Sequence, residues 1–291
     1  MIGRMPDERD VLLPYVTAVF GSFEPAEVRV SYDAAPRPTT PELDQLIIEE
    51  WERQTALARD HGRLMFNGEL LRYIGHEVSE EPQGGRPFFS LTVGPTCYRD
   101  FVGTNLFNHH RLGEYGWHRF ANPIGTTATL ASSDGSICYG RRSARVAYHA
   151  GHIHTFGGAL ERKDMTAEGR VDVFASVLRE LVEEVAVGPQ DLQDLRCVGL
   201  IRDREIHQPE VLFEARLRMT AAELQERWLT AKEADEHDSL VMLPDQPGAI
   251  VPFIHGCGLI APVAIGGLML HGRMTWGEDW YSEAARKLIV R

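Results

Sequence analysis

Cysteine, basic charge and long apolar segments are all scarce in this sequence. Four cysteines occur, at Cys97, Cys138, Cys197 and Cys257, and no two form a Cys-x-x-Cys pair, which argues against a zinc knuckle or a redox dithiol. We expect four reduced thiols. Lys and Arg number 30 against 42 Asp and Glu, a formal charge of −12. Because an acidic chain repels nucleic-acid phosphates, we predict no nucleic-acid partner.

The sequence also shows no membrane-spanning segment and no secretion signal. Its longest apolar stretch, residues 256–270, is broken by Pro262 and by glycines, and it is shorter than the roughly 20 apolar residues of a membrane helix. Residues 1–10 carry mixed charges and no apolar centre, unlike a signal peptide. These features predict a cytoplasmic protein without membrane contact. They leave the oligomeric state, monomer or homodimer, open.

The hydrophobic pattern predicts interspersed strands and helices. Of the 291 residues, 43% are hydrophobic, which is enough for the core of one large domain or two modest ones. Strands are predicted at residues 70–78, 88–93, 126–131, 137–142, 196–202, 211–217 and 239–243. Helices are predicted after the capping residues Thr40 and Thr220, at 171–185, and over much of 261–291. This order favours a mixed α/β core in which helices pack on a sheet.

The most informative segment is Arg179-Glu180-Leu181-Val182-Glu183-Glu184. On a helix, Glu183 and Glu184 lie three and four residues after Glu180, so the three carboxylates share one face. Like charges at this spacing repel each other. A hard divalent cation such as Mg²⁺ would relieve the repulsion, because it prefers oxygen ligands. A solvated acidic face with an arginine partner is the alternative interpretation.

The surroundings of this helix resemble the Nudix box. That box runs Gly, five residues, Glu, seven residues, then Arg-Glu-hydrophobic-x-Glu-Glu-x-Gly-hydrophobic. Gly158 of Gly157-Gly158 takes the first position, and Asp164 stands where the first Glu is expected. The remaining matches are Arg179, Glu180, Leu181, Glu183, Glu184 and Val187. Three features depart from the box: Asp164 replaces Glu, Ala186 replaces the last Gly, and 14 residues separate Asp164 from Arg179.

A second resemblance runs over most of the chain. The segment Tyr98-Arg99-Asp100-Phe101-Val102-Gly103-Thr104-Asn105 is similar to one in the animal Nudix enzymes that hydrolyse UDP-glucose and UDP-galactose. Asn122-Pro123-Ile124-Gly125 and Arg141-Arg142-Ser143 continue the likeness in the same order. The resemblance implies a Nudix-type α/β/α sandwich with a mixed sheet over residues 121–291. An N-terminal α+β extension over residues 1–120 would shape the substrate pocket.

The resemblance also implies a chemistry. Nudix hydrolases cleave a nucleoside diphosphate linked to another group, so we expect metal-dependent hydrolysis of a nucleotide sugar, with a UDP-sugar giving UMP and sugar 1-phosphate. Glu183, Glu184, Glu180 and the Gly158 carbonyl would hold Mg²⁺, or Mn²⁺ in its place. Glu180 would act as a ligand or as the base that activates water, and Arg179 would orient the glutamates.

Further residues are candidates for substrate and metal contacts. The resemblance implies that Tyr98, Arg99, Asn105 and Arg141 contact the nucleotide or the sugar. The residues themselves suggest two weaker hypotheses: Glu210 or Glu214 could add a carboxylate to the metal site, and the His-x-His pair His152 and His154 could bind zinc.

Two other functions remain open at this point. The chain could hydrolyse ADP-ribose or another nucleoside diphosphate derivative, because the box is common to all such enzymes. It could also be a non-catalytic module that senses a nucleotide. The three intact glutamates argue against a sensor, since a binding module has little need for a full metal site.

Overall fold

The structure is a computed structural model that describes residues 13–79, 86–146, 148–166 and 169–289. Residues 1–10, for which no secretion signal is predicted, lie outside these ranges. Within the described ranges the chain forms an eight-stranded sheet and a three-stranded sheet, with helices against them.

The strands and helices have the following bounds. The strands are β1 (Tyr15–Phe23), β2 (Val28–Tyr32), β3 (Glu69–Ser79), β4 (Phe88–Cys97), β5 (Gly125–Ala131), β6 (Ser136–Arg142), β7 (Ile153–His154), β8 (Phe156–Ala159), β9 (Leu192–Asp203), β10 (Pro209–Leu217) and β11 (His237–Pro244). The helices are α1 (Pro41–Asp60), α2 (Tyr98–Phe101), α3 (Leu112–Tyr115), α4 (Val173–Val185), α5 (Ala221–Trp228), α6 (Ile250–Gly256) and α7 (Pro262–Ile289). Helix α7 is kinked at Gly277.

The large sheet is mixed, as the sequence predicts. Its strands follow the order β1-β9-β10-β5-β6-β11, while β7 pairs with β6 and β8 pairs with β5. Strands β5 and β10 run parallel, and the other described pairs of this sheet are antiparallel. Between β5 and β6 the two strands diverge, so that only Leu130 and Ala131 of β5 pair with β6. The gap on this side of β5 is filled by β8, which carries Gly157 and Gly158.

Helices cover both faces of the large sheet. Helix α4 packs Val177 and Leu181 on one face, in a core that includes Phe213 of β10. Helix α7 packs Met269 and Leu270 on the other face. Because side chains alternate along a strand, neighbouring residues of β10 face different helices. The result is an α/β/α sandwich, which confirms the predicted fold class.

A buried ionic cluster ties α7 to the sheet. The Nδ1 atom of His271 lies 3.1 Å from Oε2 of Glu214, and Nε2 lies 2.8 Å from Oδ1 of Asp245. Burial alone would lower the pKa of His271, but the two carboxylates outweigh it and raise the pKa to about 9. His271 is therefore an imidazolium at neutral pH, bound on both ring nitrogens.

The N-terminal region contributes to both sheets. Strands β2, β4 and β3 form the small sheet in that order, and the Leu71 amide reaches the Leu160 carbonyl at 2.8 Å. Strand β1 instead pairs with β9 at the edge of the large sheet. Strand β1 of the N-terminal part thus belongs to the sheet of the C-terminal part. The domain boundary at residue 120 stays a prediction.

Local signals placed most elements correctly. The Thr40 hydroxyl accepts from the Leu43 amide at the start of α1, and Thr220 forms a capping box with Glu223 at α5. Strands β1, β2, β7 and β8 are absent from the sequence-based prediction. All four cysteines lie in the described ranges and are free thiols. None of the described helices is long and apolar enough to cross a membrane.

Candidate active site

Helix α4 presents the Arg-Glu segment, and its two ends define its position. Asp172 caps the first turn by accepting from the amides of Phe174 and Ala175 at 3.0 Å each. The helix ends at Ala186, which has the left-handed backbone conformation with φ of 54°. A residue with a Cβ is strained in this conformation, so the glycine that the Nudix box has here is the sterically preferred residue.

Two of the three glutamates of α4 lie against β8. Glu184 Oε2 accepts from the Gly157 amide at 3.0 Å. Glu180 packs so closely that a Cβ at Gly158 would lie 2.9 Å from its carboxylate carbon. Gly157 has φ of 150°, and a Cβ there would meet the Thr126 carbonyl. Gly157 is therefore required by the backbone, and a side chain at Gly158 would displace the Glu180 carboxylate.

An arginine clamp holds the segment in place. The Arg179 guanidinium lies 2.6 Å from Oε1 of Glu180 and 3.3 Å from Oε2 of Glu183. Its other terminal nitrogen lies 2.9 Å from Oδ1 of Asp164, whose side chain is buried. Asp164 thus contacts Arg179 across the longer loop, part of which, residues 167–168, lies outside the described ranges. In this structure Arg179 contacts carboxylates, which suits the predicted orienting role.

The third glutamate turns away from β8. Glu183 Oε1 lies 2.9 Å from Lys232 Nζ, and Arg179 lies on its other oxygen. The hydrogen bond from Lys232 is the main cause that lowers the pKa of Glu183. This carboxylate is already compensated by two cations, so it has the weakest electrostatic need for a metal among the three.

Glu180 and Glu184 have less compensation than Glu183: Glu180 shares the Arg179 guanidinium with Glu183 and Asp164, and Glu184 accepts from the Gly157 amide. Burial raises the pKa of Glu180 to about 7, although Arg179 opposes the shift. Burial also raises the pKa of Glu184 well above its ordinary value, and the Glu236 charge adds to this effect. Two enclosed carboxylates with too little positive charge nearby form a site that a cation would stabilise.

The donor set fits a cation bound partly by substrate. In the described ranges, no three His, Cys, Asp or Glu side chains are grouped so that they could hold a metal alone. Mg²⁺ commonly uses one or two carboxylates together with waters and substrate phosphates. Glu180 and Glu184, with the backbone of Gly158 beside them, match that partial shell.

The predicted substrate residues fall in three different environments. Arg99 is partly exposed and pairs with Asp100 at 3.2 Å. Tyr98 packs edge-on against Trp51, with 6.1 Å between ring centroids, and lines a groove of about 580 Å³. Arg141 donates to the Gly151 carbonyl at 3.0 Å, on the face of β6 opposite α4.

Asn105 has no group left for a substrate in this structure. It is fully buried, its amide nitrogen donates to Asn122 and to the Ile206 carbonyl, and its oxygen accepts from the Asn122 amide. The structure therefore gives Asn105 a role in holding the chain segments together, and we remove it from the substrate set. Arg99 and Asn105 belong to one sequence motif, but Arg99 is partly exposed whereas Asn105 is buried.

The other carboxylate candidates lie on the wrong face of the sheet. Thr126 is opposite Gly158 and contacts Ser176 of α4, whereas Glu210 lies at the neighbouring register, over Gly125. Glu210 faces a small enclosed cavity, and burial raises its pKa to about 8. Glu214 has the same orientation and binds His271. Neither hypothesis of an added ligand from β10 is supported by this geometry.

Two residues near Glu184 were missed from the sequence. Arg142, the neighbour of the predicted Arg141, faces α4 and opposes the rise in the pKa of Glu184. His237 at the start of β11 lies with Nε2 3.7 Å from Oε2 of Glu184. The alternation of faces along β6 is the one sequence signal that could have favoured Arg142 over Arg141.

Comparison with known proteins agrees with the resemblance. No family model matches the chain. Among curated proteins, it is similar to Nudix hydrolase 9 of Arabidopsis thaliana, with 26% identity over 254 residues that cover 74% of this chain and 78% of the relative. The chain is thus related to the Nudix hydrolases, as the box predicts.

The similarity is broader to one named enzyme. The chain is 26% identical over 272 residues to uridine diphosphate glucose pyrophosphatase NUDT22 of Bos taurus, which covers 86% of this chain and 91% of the relative. The Homo sapiens protein of the same name is 25% identical over 272 residues, with coverage of 86% and 87%. Both matches span the N-terminal region as well as the box.

Solved structures of Nudix proteins also align with part of the chain. The Nudix domain of Shewanella oneidensis NrtR, complexed with ADP ribose, has a TM-score of 0.35 and 15% identity, and covers 58% of this chain and 97% of that domain. The MutT protein of Methanosarcina mazei Go1 has a TM-score of 0.35 and 15% identity, with coverage of 53% and 94%.

Proposed function

We propose that this chain hydrolyses the diphosphate of a nucleotide sugar in the presence of a divalent cation, with a UDP-sugar as substrate and UMP and sugar 1-phosphate as products. The observation that carries the proposal is the meeting of Glu180 and Glu184 with the glycine pair of β8. The similarity to proteins named UDP-glucose pyrophosphatase, over 86% of this chain, supports the substrate class.

The proposal assigns separate roles to the residues of α4 and β8. Glu180, Glu184 and the Gly158 carbonyl would hold Mg²⁺ or Mn²⁺, which would neutralise charge on the diphosphate and lower the pKa of the attacking water. Arg179 orients Glu180 through the 2.6 Å contact. Glu183 is not one of these proposed metal ligands, because it is bound to Lys232. Hydrolysis of this kind needs no Ser or Cys nucleophile.

A groove on the N-terminal side suits the remainder of the substrate. Its walls include Tyr98 and Arg145, and its volume of about 580 Å³ is in the usual range for small-molecule sites. Arg145 contacts the Asp235 carbonyl at 3.4 Å. In the same segment, the Glu233 amide donates to the Glu183 carbonyl. Two contacts through residues 233–235 therefore link the wall of the groove to the C-terminal end of α4.

A substrate panel tests the proposal. UDP-glucose, UDP-galactose, ADP-glucose and ADP-ribose are incubated with the full chain and Mg²⁺ or Mn²⁺, and the products are separated by anion-exchange chromatography. We expect UMP and sugar 1-phosphate from the UDP-sugars, and no turnover in excess EDTA. Faster turnover of ADP-ribose would favour the other hydrolase, and binding without turnover would favour a sensor. The double variant Glu180→Gln with Glu184→Gln is the inactive control.

A further inference from the structure

His237 is a buried histidine without a hydrogen-bond partner. Its side chain is fully enclosed, and neither Nδ1 nor Nε2 has a partner among the described residues. Its ring covers Gly140 of β6, where a Cβ would collide with it, and it meets the Phe156 ring edge-on with 5.2 Å between centroids. Burying a polar group without a hydrogen bond is costly, so two such nitrogens on one ring call for an explanation.

The ring is directed at a carboxylate of the candidate metal site. Nε2 lies 3.7 Å from Oε2 of Glu184, which is too far for a hydrogen bond. Two donors of one metal ion each lie about 2.0–2.2 Å from it. Their separation therefore cannot exceed about 4.4 Å, and the 3.7 Å between His237 and Glu184 meets this condition. One cation could touch both side chains without moving either strand or helix.

We infer that His237 is a ligand of the cation that binds Glu184, and that this nitrogen donor makes the site prefer a first-row transition-metal ion such as Mn²⁺ over Mg²⁺. Among the first-row ions Mn²⁺ takes an imidazole less readily than Fe²⁺, Co²⁺ or Zn²⁺, but it still accepts a nitrogen donor more readily than Mg²⁺, which selects oxygen ligands. The inference rests on the cation site of the proposed function and adds a ligand that the α4 motif does not contain.

The neighbours of the ring leave this role available. A neutral imidazole has one lone pair for a metal. Arg142 and Glu236, which lie near the ring, contact each other at 3.9 Å. Arg142 donates to the Tyr148 carbonyl at 3.2 Å. These groups have contacts of their own, and none occupies the ring nitrogens.

The experiment measures metal binding without substrate. Titration calorimetry gives the Kd of Mn²⁺ and of Mg²⁺ for the wild type, His237→Phe and His109→Phe. Phenylalanine keeps the ring packing against Phe156. His109 is the control because it is a partly buried histidine whose Nδ1 lies 3.3 Å from the Leu106 carbonyl, and it belongs neither to the candidate metal site nor to the predicted substrate residues. We expect His237→Phe to weaken Mn²⁺ at least about tenfold and Mg²⁺ far less, and the control to leave both unchanged.

A spectroscopic measurement on the wild type covers the case in which His237→Phe does not fold. Electron spin echo spectroscopy of bound Mn²⁺ shows a nitrogen coupling when an imidazole is a ligand. Absence of that coupling, or equal weakening of both cations in His237→Phe, overturns the inference. UDP-glucose turnover is measured in parallel: turnover without nitrogen coupling refutes only the ligand, and nitrogen coupling without turnover of any nucleotide sugar refutes only the hydrolase.

Discussion

The structure predicts that two adjacent glutamates of α4 contribute very differently to turnover. Glu184 is buried against Gly157 with little compensating charge, whereas Glu183 is held by Lys232 and Arg179. A unit charge acting over about 4 Å at an effective dielectric constant near 20 contributes about 4 kcal/mol, and this corresponds to about a thousandfold in rate. We therefore expect Glu184→Gln to lower kcat by about a thousandfold. Glu183→Gln should lower it by less than about tenfold, because its charge is already neutralised.

The assay is release of UMP from UDP-glucose at saturating Mg²⁺, with thermal unfolding followed by circular dichroism for each variant. Glu184→Gln should keep the wild-type Tm or exceed it, since glutamine can still accept from the Gly157 amide and the buried charge is removed. Glu183→Gln should change the Tm little, because it weakens only partly exposed contacts with Lys232 and Arg179. Equal loss of kcat in the two variants, with normal folding, would refute the exclusion of Glu183 from the metal ligands. The sequence alone gives no reason to separate the two residues, because both belong to the same motif.

Three further outcomes follow from contacts described above. In urea titrations, Ala186→Gly should raise the free energy of unfolding by about 1 kcal/mol, because it relieves the strain of the left-handed conformation. The control Ala175→Gly, in the exposed first turn of α4, should lower it by up to about 1 kcal/mol. The pKa of His271 is raised from 6.5 to about 9. Its contribution to the free energy of unfolding, about 3 kcal/mol, is therefore present below pH 6.5 and is lost as the pH rises through 9. His271→Gln should remove this pH dependence from urea midpoints measured at pH 6 and 9.5. Arg99→Ala should raise KM for UDP-glucose at unchanged Tm. Asn105→Ala should instead lower the free energy of unfolding by about 2–4 kcal/mol, because it leaves buried partners unsatisfied. A normal Tm for Asn105→Ala would contradict the structural role of this residue.

The sequence predicts those parts of the fold that depend on near neighbours. Thr40 and Thr220 mark helix starts because their hydroxyls bind amides three residues away. Strand β1 was missed because its partner β9 is far along the chain, and its buried residues do not alternate regularly: bulges interrupt the pairing after Thr17 and Phe20.

The candidate site shows the same limit at the level of side chains. Motif spacing correctly indicated that Arg179 and the glutamates share a helix, and that Gly158 lies close to them. It could not show that Glu183 turns towards Lys232, since Lys232 is 49 residues away. It selected Arg141 although Arg142 faces α4, because a shift of one residue on a strand reverses the face. Side-chain direction depends on register and packing, which no motif encodes.

The pairing of β1 with β9 has a consequence for synthesis of the chain. About 170 residues separate the end of β1 from the start of β9, so at about 5–20 residues per second a ribosome needs roughly 10–35 s to supply the partner strand. During that interval Tyr15 and Val19, which are buried in the finished protein, lack the strand that pairs with theirs, whereas Phe23 can already meet Phe89 of β4. The first of the described strands is thus fully paired only after β9 has been made, and a chaperone that shields short apolar segments would act there.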